Sequence, residues 1–187
     1  MSDFKQSCLI LDKPSGMSSN QALAKIKKKI NQKKAGFSGT LDPLASGLLI
    51  IFFNKATKLC SLFLGADKSY EAIIKLGYVS ETGDSDGEII SVKDVPNLND
   101  HDLRVLEEKY TGVIEQVPPM YSALKHKGVR LYEYARKGIN IERDARKVTI
   151  YNIKLDIIDR GHLALKVKCS KGTYIRTLAE QIGEDIG

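Results

Sequence analysis

Twelve residues limit this chain more than any others: Gly36-Phe37-Ser38-Gly39-Thr40-Leu41-Asp42-Pro43-Leu44-Ala45-Ser46-Gly47. Three glycines and a proline impose a tight, preset backbone on so short a stretch. The apolar run Leu48-Leu49-Ile50-Ile51-Phe52-Phe53 follows at once and reads as a buried strand. The single acid, Asp42, is therefore expected on a rigid loop beside the core. Asp-Pro is also an ordinary turn or helix-start pair, because Asp caps and Pro suits the first helical position. Spacing alone leaves both readings of Asp42 open.

The charge distribution bears on that choice. Residues 1–60 carry ten Lys, no Arg and three acids, whereas residues 61–187 carry 19 Lys and Arg against 20 acids. The excess positive charge thus surrounds the Asp42 loop, and a fixed carboxylate beside a basic surface points to chemistry on a polyanion. A lysine-rich solvated helix is the alternative. With 42% hydrophobic and 28% charged residues the composition is that of a soluble globular protein. No apolar run approaches the roughly 20 residues that span a bilayer. The start, Met1 to Gln6, has no basic segment leading into a secretory apolar core. Cys8, Cys60 and Cys169 are far apart and suggest no disulfide framework, which favours a reducing cytoplasm. His101, His126 and His162 are scattered, so no metal site is expected.

Along the chain, Cys8-Leu9-Ile10-Leu11 reads as a strand, and Asp12-Lys13-Pro14-Ser15-Gly16 as a turn. Ser18 and Gln21 have capping-box spacing and open a helix with Leu23, Ile26 and Ile30 on one face. A short helix is expected from Ala56 to Leu64. Tyr70, Ala72, Ile74 and Leu76 alternate onto one face of a strand over Lys68 to Leu76. Ser80 to Gly87 is a polar hairpin turn rather than a calcium loop, since the ordered ligand spacing is absent. A helix is predicted over Asp100 to Tyr110, and strands over Lys147 to Ile158 and His162 to Cys169. Thr173 is placed to cap a last helix running to Ile182. Lys125, Lys127, Arg130 and Arg136 are interleaved with tyrosines, a mixture suited to phosphate neutralisation plus base stacking.

Several of these words resemble one family along the whole chain. G-x-S-G-T-L-D-P-L-A-S-G, L-D-K-P-x-G-M-S-S, D-K-x-Y, P-P-x-Y-S-A-L-K with L-Y-E-Y-A-R, and C-S-K-G-T-Y-I-R-T resemble the motifs of the tRNA pseudouridine synthases that modify uridine 55 in the T loop. The resemblance implies an α/β (α+β type) catalytic fold: a mixed, mostly antiparallel sheet with flanking helices. It implies that Asp42 is the essential catalyst and that Arg176 ion-pairs with it. A guanidinium so placed keeps a partly buried carboxylate ionised, lowering its pKa by ~1–3. Tyr70 would stack on the target uracil and assist at carbon 5, and Tyr174 would line the pocket. Without the family match a half-buried strand tyrosine is the better reading of Tyr70.

Phe37 stands where most members carry His; it keeps the ability to stack or wedge but not the hydrogen bonds, and a core aromatic is the alternative. Lys13 is either a phosphate contact or, the favoured reading, support for the catalytic loop. Lys125 and Arg130 belong to an RNA-contacting insertion at about residues 117–145. The catalytic domain is expected over 1–187, with the family's further core segment and its C-terminal RNA-binding domain absent from these residues. The expected reaction is isomerisation of uridine 55 to pseudouridine without a cofactor. The expected partner is the tRNA T stem-loop, and the expected state a cytoplasmic monomer with no membrane or metal partner. A non-catalytic tRNA-binding or folding module, or a truncated inactive synthase, is the alternative.

Overall fold

A computed structural model describes residues 7–186; Met1 to Gln6, read above for a secretory leader, and Gly187 lie outside the described residues. The chain forms two compact units, Met1–Ala66 and Asp67–Gly187.

In the first unit, β1 (Cys8–Lys13), β2 (Ala35–Ser38) and β3 (Gly47–Phe53) make an antiparallel sheet in the order β1-β3-β2. Helix α1 (Ser19–Lys29) starts at the expected capping box: the Ser18 hydroxyl accepts from the Gln21 N–H, and the Gln21 side chain accepts from the Ser18 N–H. Its apolar stripe packs Ala22, Leu23, Ile26 and Ile30 against Leu49, Ile51 and Phe53, with Leu9, Leu11 and Phe37 joining the same cluster. A 3-10 turn (Asn54–Leu59) and α2 (Cys60–Leu64) follow β3. The Phe63 ring lies 5.3 Å from that of Phe52 and covers it on the second face of β3, where Leu48 at the other end of the run stays exposed.

The second unit is built on the sheet β4-β11-β10-β7, formed by β4 (Lys68–Lys75), β7 (Gly112–Gln116), β10 (Arg146–Asp159) and β11 (His162–Cys169). Every strand pair recorded among the described residues is antiparallel. The polar turn after β4 lies in a separate hairpin of β5 (Tyr78–Ser80) and β6 (Ile89–Ser91). Helix α3 (Asp100–Tyr110) has its own capping box, with Asn99 and Asp102 exchanging bonds. A two-strand hairpin of β8 (Lys125–His126) and β9 (Val129–Arg130) leads into α4 (Leu131–Ala135). Leu103, Leu106 and Tyr110 of α3 join Leu178 and Ile182 of α5 (Ile175–Ile186) over the inward residues Ile150, Leu155, Leu163 and Leu165.

The inward residues of β10 change parity, from Val148 and Ile150 to Ile153 and Leu155. A register shift between Ile150 and Asn152 causes this: one extra residue keeps both halves of a strand facing the core. The last helix differs from the sequence expectation at both ends. It starts at Ile175, with the Tyr174 carbonyl accepting from the Leu178 N–H, and runs to Ile186, while the Thr173 hydroxyl donates to the Ser170 carbonyl in the preceding turn.

The far end of α5 is tied to α3 through Asp185. Its carboxylate accepts from Lys109 Nζ at 2.6 Å and from the Tyr110 hydroxyl at 2.8 Å. These bonds, Lys109 first, hold the Asp185 pKa below its ordinary value of 3.8, and burial with the same carboxylate raises that of Tyr110. A depressed carboxylate pKa contributes stability above the unfolded value, and that stability is lost as pH falls through the folded value. Asp185→Asn should therefore cost about 1 kcal/mol at pH 7. Denaturant midpoints of the two proteins should converge as pH is lowered toward about 2. A gap that stays constant through the acid range would remove the ionised pair from the account.

Candidate active site

The loop between β2 and β3 carries Asp42. Gly39 and Gly47 adopt φ of +78° and +113°, so the backbone enters and leaves through conformations that side-chain-bearing residues avoid. The first three residues of the word, Gly36 to Ser38, are strand rather than loop. The turn after β1 grips what remains. Ser19, buried at the start of α1, donates its hydroxyl to the Leu41 carbonyl (3.0 Å) and accepts from the Leu41 N–H (2.9 Å). On the other side of Asp42, the Gly16 N–H donates to the Pro43 carbonyl at 2.8 Å and the Ser15 hydroxyl to the Leu44 carbonyl at 2.7 Å. The peptide groups flanking Asp42 are thus fixed on both sides, while Asp42 itself is half-buried.

Lys13 underlies this arrangement. It is 0% exposed, and its ammonium donates to the carbonyls of Met17 (2.6 Å), Pro14 (2.9 Å) and Pro43 (3.4 Å). Burial pushes its pKa below 10.5, and the negative Asp42 opposes that shift. The bond to Pro43 ties Lys13 to the Asp42 loop. Phe37 pairs with Ile51 across the sheet and is half-buried against the core of the first unit.

The other expected site residues lie in the second unit. Tyr70 sits on β4 opposite Val167, half-buried at the margin of the core. Tyr174 precedes α5 and is held by Gln116. That buried amide accepts from the Tyr174 N–H at 3.0 Å and donates to its carbonyl at 3.2 Å. Arg176, in the first turn of α5, donates Nη1 to the Thr82 carbonyl (2.7 Å) and Nη2 to the Tyr121 carbonyl (2.9 Å). Its Nε lies 3.7 Å from Asp84 Oδ2. Both side chains are largely enclosed, at 13% and 9% exposure. Asp84 also accepts from the Thr82 hydroxyl and from the Asp86 N–H.

The guanidinium therefore joins the polar turn after β5, the Pro-Pro segment around Tyr121 and α5. Lys125 is exposed on β8, and Arg130 starts the insertion's helix, where Tyr132 is flanked by Arg130 and Arg136 at 5.9 and 5.3 Å from its ring centre. Among the described residues no group of three His, Cys, Asp or Glu is placed to hold a metal ion, and no helix is long and apolar enough to cross a membrane.

Sequence reasoning singled out neither Ser19, Gln116 nor Asp84. The available signal was weak: Gln116 is a polar residue at an inward strand position, and Ser19 lies in the quoted M-S-S.

Residues 27–175 match the family described as TruB family pseudouridylate synthase (N terminal domain). The chain is 51% identical over 179 residues to the tRNA pseudouridine synthase B of Azoarcus sp. strain BH72, covering 96% of this chain and 59% of that protein. It is 49% identical to the protein of the same name from Chromohalobacter salexigens, covering 96% and 58% respectively. The chain thus spans somewhat under two thirds of the length of these curated relatives. Among solved structures, a chain of a Cbf5-Nop10-Gar1 complex superposes with a TM-score of 0.75 at 29% identity, covering 98% of this chain and 45% of that one. A chain of an H/ACA RNP bound to a substrate RNA containing 2'-deoxyuridine superposes with a TM-score of 0.68, also at 29% identity, covering 98% and 44%.

Proposed function

Because the chain belongs to the TruB family of pseudouridylate synthases, we propose that it isomerises uridine 55 in the T loop of tRNA to pseudouridine, as a cytoplasmic monomer. The observation that carries this reading is the family match across 27–175, which contains Asp42 on its doubly gripped loop. In the reaction the bond from the ribose carbon to uracil N1 breaks, the base turns, and a bond forms to carbon 5. The hydrogen on carbon 5 leaves and N1 gains a proton, so atoms balance without hydrolysis, redox change or a group donor.

Asp42 is assigned the opening step. Attack on the uracil ring, attack on the sugar carbon and proton abstraction from the ribose all require its ionised form. Arg176 balances that charge and Tyr174 lines the pocket, and each has its backbone or guanidinium anchored by polar partners in the second unit. Tyr70 stacks on the base and assists at carbon 5. The target must leave its stack to be reached, and a loop nucleotide does so at less cost than one in a regular duplex. Residues 117–145, with Lys125, Arg130 and the Arg-flanked Tyr132, form the part that presses on the RNA.

The test is direct. The purified chain is incubated with unmodified tRNA, and pseudouridine is sought in the T loop by chemical derivatisation. A stoichiometric signal at that uridine is expected; folded protein that binds tRNA and leaves it unchanged would sink the assignment.

A further inference from the structure

Charge divides where the fold divides. Residues 7–66 hold nine lysines and two acids, Asp12 and Asp42, whereas residues 67–187 hold 19 Lys and Arg against 20 acids. Within the first unit most of those lysines gather at one end. Lys27, Lys28 and Lys29 form the last turn of α1. The following turn folds back onto that helix, with the Gln32 N–H donating to the Lys27 carbonyl and the Asn31 N–H to the Lys28 carbonyl. Lys33 and Lys34 lie in this turn. The Asn54 N–H donates to the Lys34 carbonyl, and the Asn54 amide donates to Gln32 Oε1, which brings the 3-10 turn with Lys55 and Lys58 alongside. Lys28, Lys29, Lys33, Lys34, Lys55 and Lys58 are all exposed. Asp12 and Asp42 belong to the opposite end, where Ser19 opens α1 and grips Leu41, so the excess positive charge does not surround the Asp42 loop as sequence position alone suggests.

The two ends are separated by the length of α1. Eleven residues at about 1.5 Å each amount to about 16 Å. A lysine at the far end therefore cannot reach a base held at Asp42. Along an RNA stem that distance spans several nucleotides, so the lysine meets the backbone well away from the target. Lysine supplies a point charge without the planar fork that reads bases, so the contact is to phosphate and carries no sequence preference.

We infer that this lysine end of the first unit is a second RNA-contacting surface, which holds the phosphate backbone several nucleotides from the target uridine. The inference rests on the reading of the preceding subsection and adds to it a contact made by residues other than those assigned to the insertion and the base pocket. Its function is to hold the substrate's register while the loop nucleotide is extracted, at the cost of steep salt dependence.

The test takes one lysine from each of the three segments, Lys28→Gln, Lys34→Gln and Lys55→Gln combined, and compares it with Lys93→Gln, Arg104→Gln and Lys147→Gln combined. The control removes the same charge from exposed positions of the second unit. Equilibrium binding of unmodified tRNA is measured between 50 and 200 mM salt. The first triple variant should flatten the slope of log affinity against log salt by about 2–3, while the control leaves it nearly unchanged. Turnover at saturating tRNA should match wild type in the control. A T stem-loop cut to two base pairs, too short to reach the lysines, should bind wild type and the first variant equally.

An unaltered slope, or an equal loss in the control, overturns the inference even where the wild-type chain makes pseudouridine. The same loss on the shortened stem-loop overturns it too, because the lysines would then act near the target. A flattened slope in a chain that makes no pseudouridine supports the RNA surface and overturns the catalytic reading alone.

Discussion

Asp42→Asn should abolish pseudouridine formation, with turnover falling on the order of 10⁴-fold or more, while tRNA binding stays within a few-fold of wild type. The substitution is nearly isosteric, and the loop has little freedom to respond. Ser19 holds the Leu41 peptide through both its N–H and its carbonyl, and Gly16 and Ser15 hold the carbonyls of Pro43 and Leu44. None of these bonds involves the Asp42 side chain, so the amide is presented where the carboxylate was. What disappears is the ionised oxygen that every candidate opening step requires.

One indirect effect falls on Lys13. Its buried ammonium already has a pKa below 10.5, and losing the Asp42 charge lowers it further. A lysine whose folded pKa lies below its unfolded value weakens the fold wherever both states are protonated, and that penalty lifts as pH rises from the folded value toward 10.5. The variant should therefore be slightly less stable than wild type near neutral pH, with part of the gap closing in alkaline buffer. Turnover by a well-folded Asp42→Asn protein would remove Asp42 from the chemistry, whereas lost folding would show that the carboxylate is structural. Circular dichroism, binding and product analysis on one preparation separate these outcomes.

The parts legible in the sequence were those written in local chemistry. The Ser18 and Gln21 spacing gave the start of α1, the alternation of Tyr70, Ala72 and Ile74 gave the inward face of β4, and Gly39 and Gly47 marked the Asp42 loop. The supports of the site were not legible, because their partners are backbone atoms distant in sequence. Ser19 grips a peptide 22 residues away, and Gln116 one 58 residues away. A carbonyl has no residue identity, so no pattern of letters announces that it will be gripped. Lys13 shows the same gap: sequence allowed both a phosphate contact and loop support, and its partners are the carbonyls of Pro14, Met17 and Pro43, which no letter pattern announces. Thr173 misled because a hydroxyl near a helix start has two uses, and here the Ser170 carbonyl takes it.

Arg176→Ala should be the most destabilising of the site substitutions. The partners of this guanidinium include the Thr82 carbonyl, the Tyr121 carbonyl and Asp84, whose side chain is 9% exposed. Removing the cation from an enclosed pair leaves its carboxylate desolvated and uncompensated, a loss of about 3–5 kcal/mol. In a domain of this size that lowers Tm by roughly 6–20 °C. Arg176→Lys should recover only part of this, because one ammonium at the end of a flexible stem cannot meet two carbonyls and a carboxylate as the planar fork does.

Asp84→Asn provides the decisive comparison. It retains the Arg176 hydrogen bonds to both carbonyls and removes one carboxylate beside the guanidinium, so its own loss should be smaller. In combination with Arg176→Ala the two losses should fall well short of additive, since the orphaned carboxylate is then gone. If the proposed catalytic role of Arg176 depends on how Asp84 aims it, Asp84→Asn will also lower turnover at a temperature where the protein is fully folded, leaving tRNA affinity unchanged. Additive stability losses, measured by denaturant unfolding, would show that Arg176 and Asp84 contribute independently. Full turnover in Asp84→Asn would confine Asp84 to the fold.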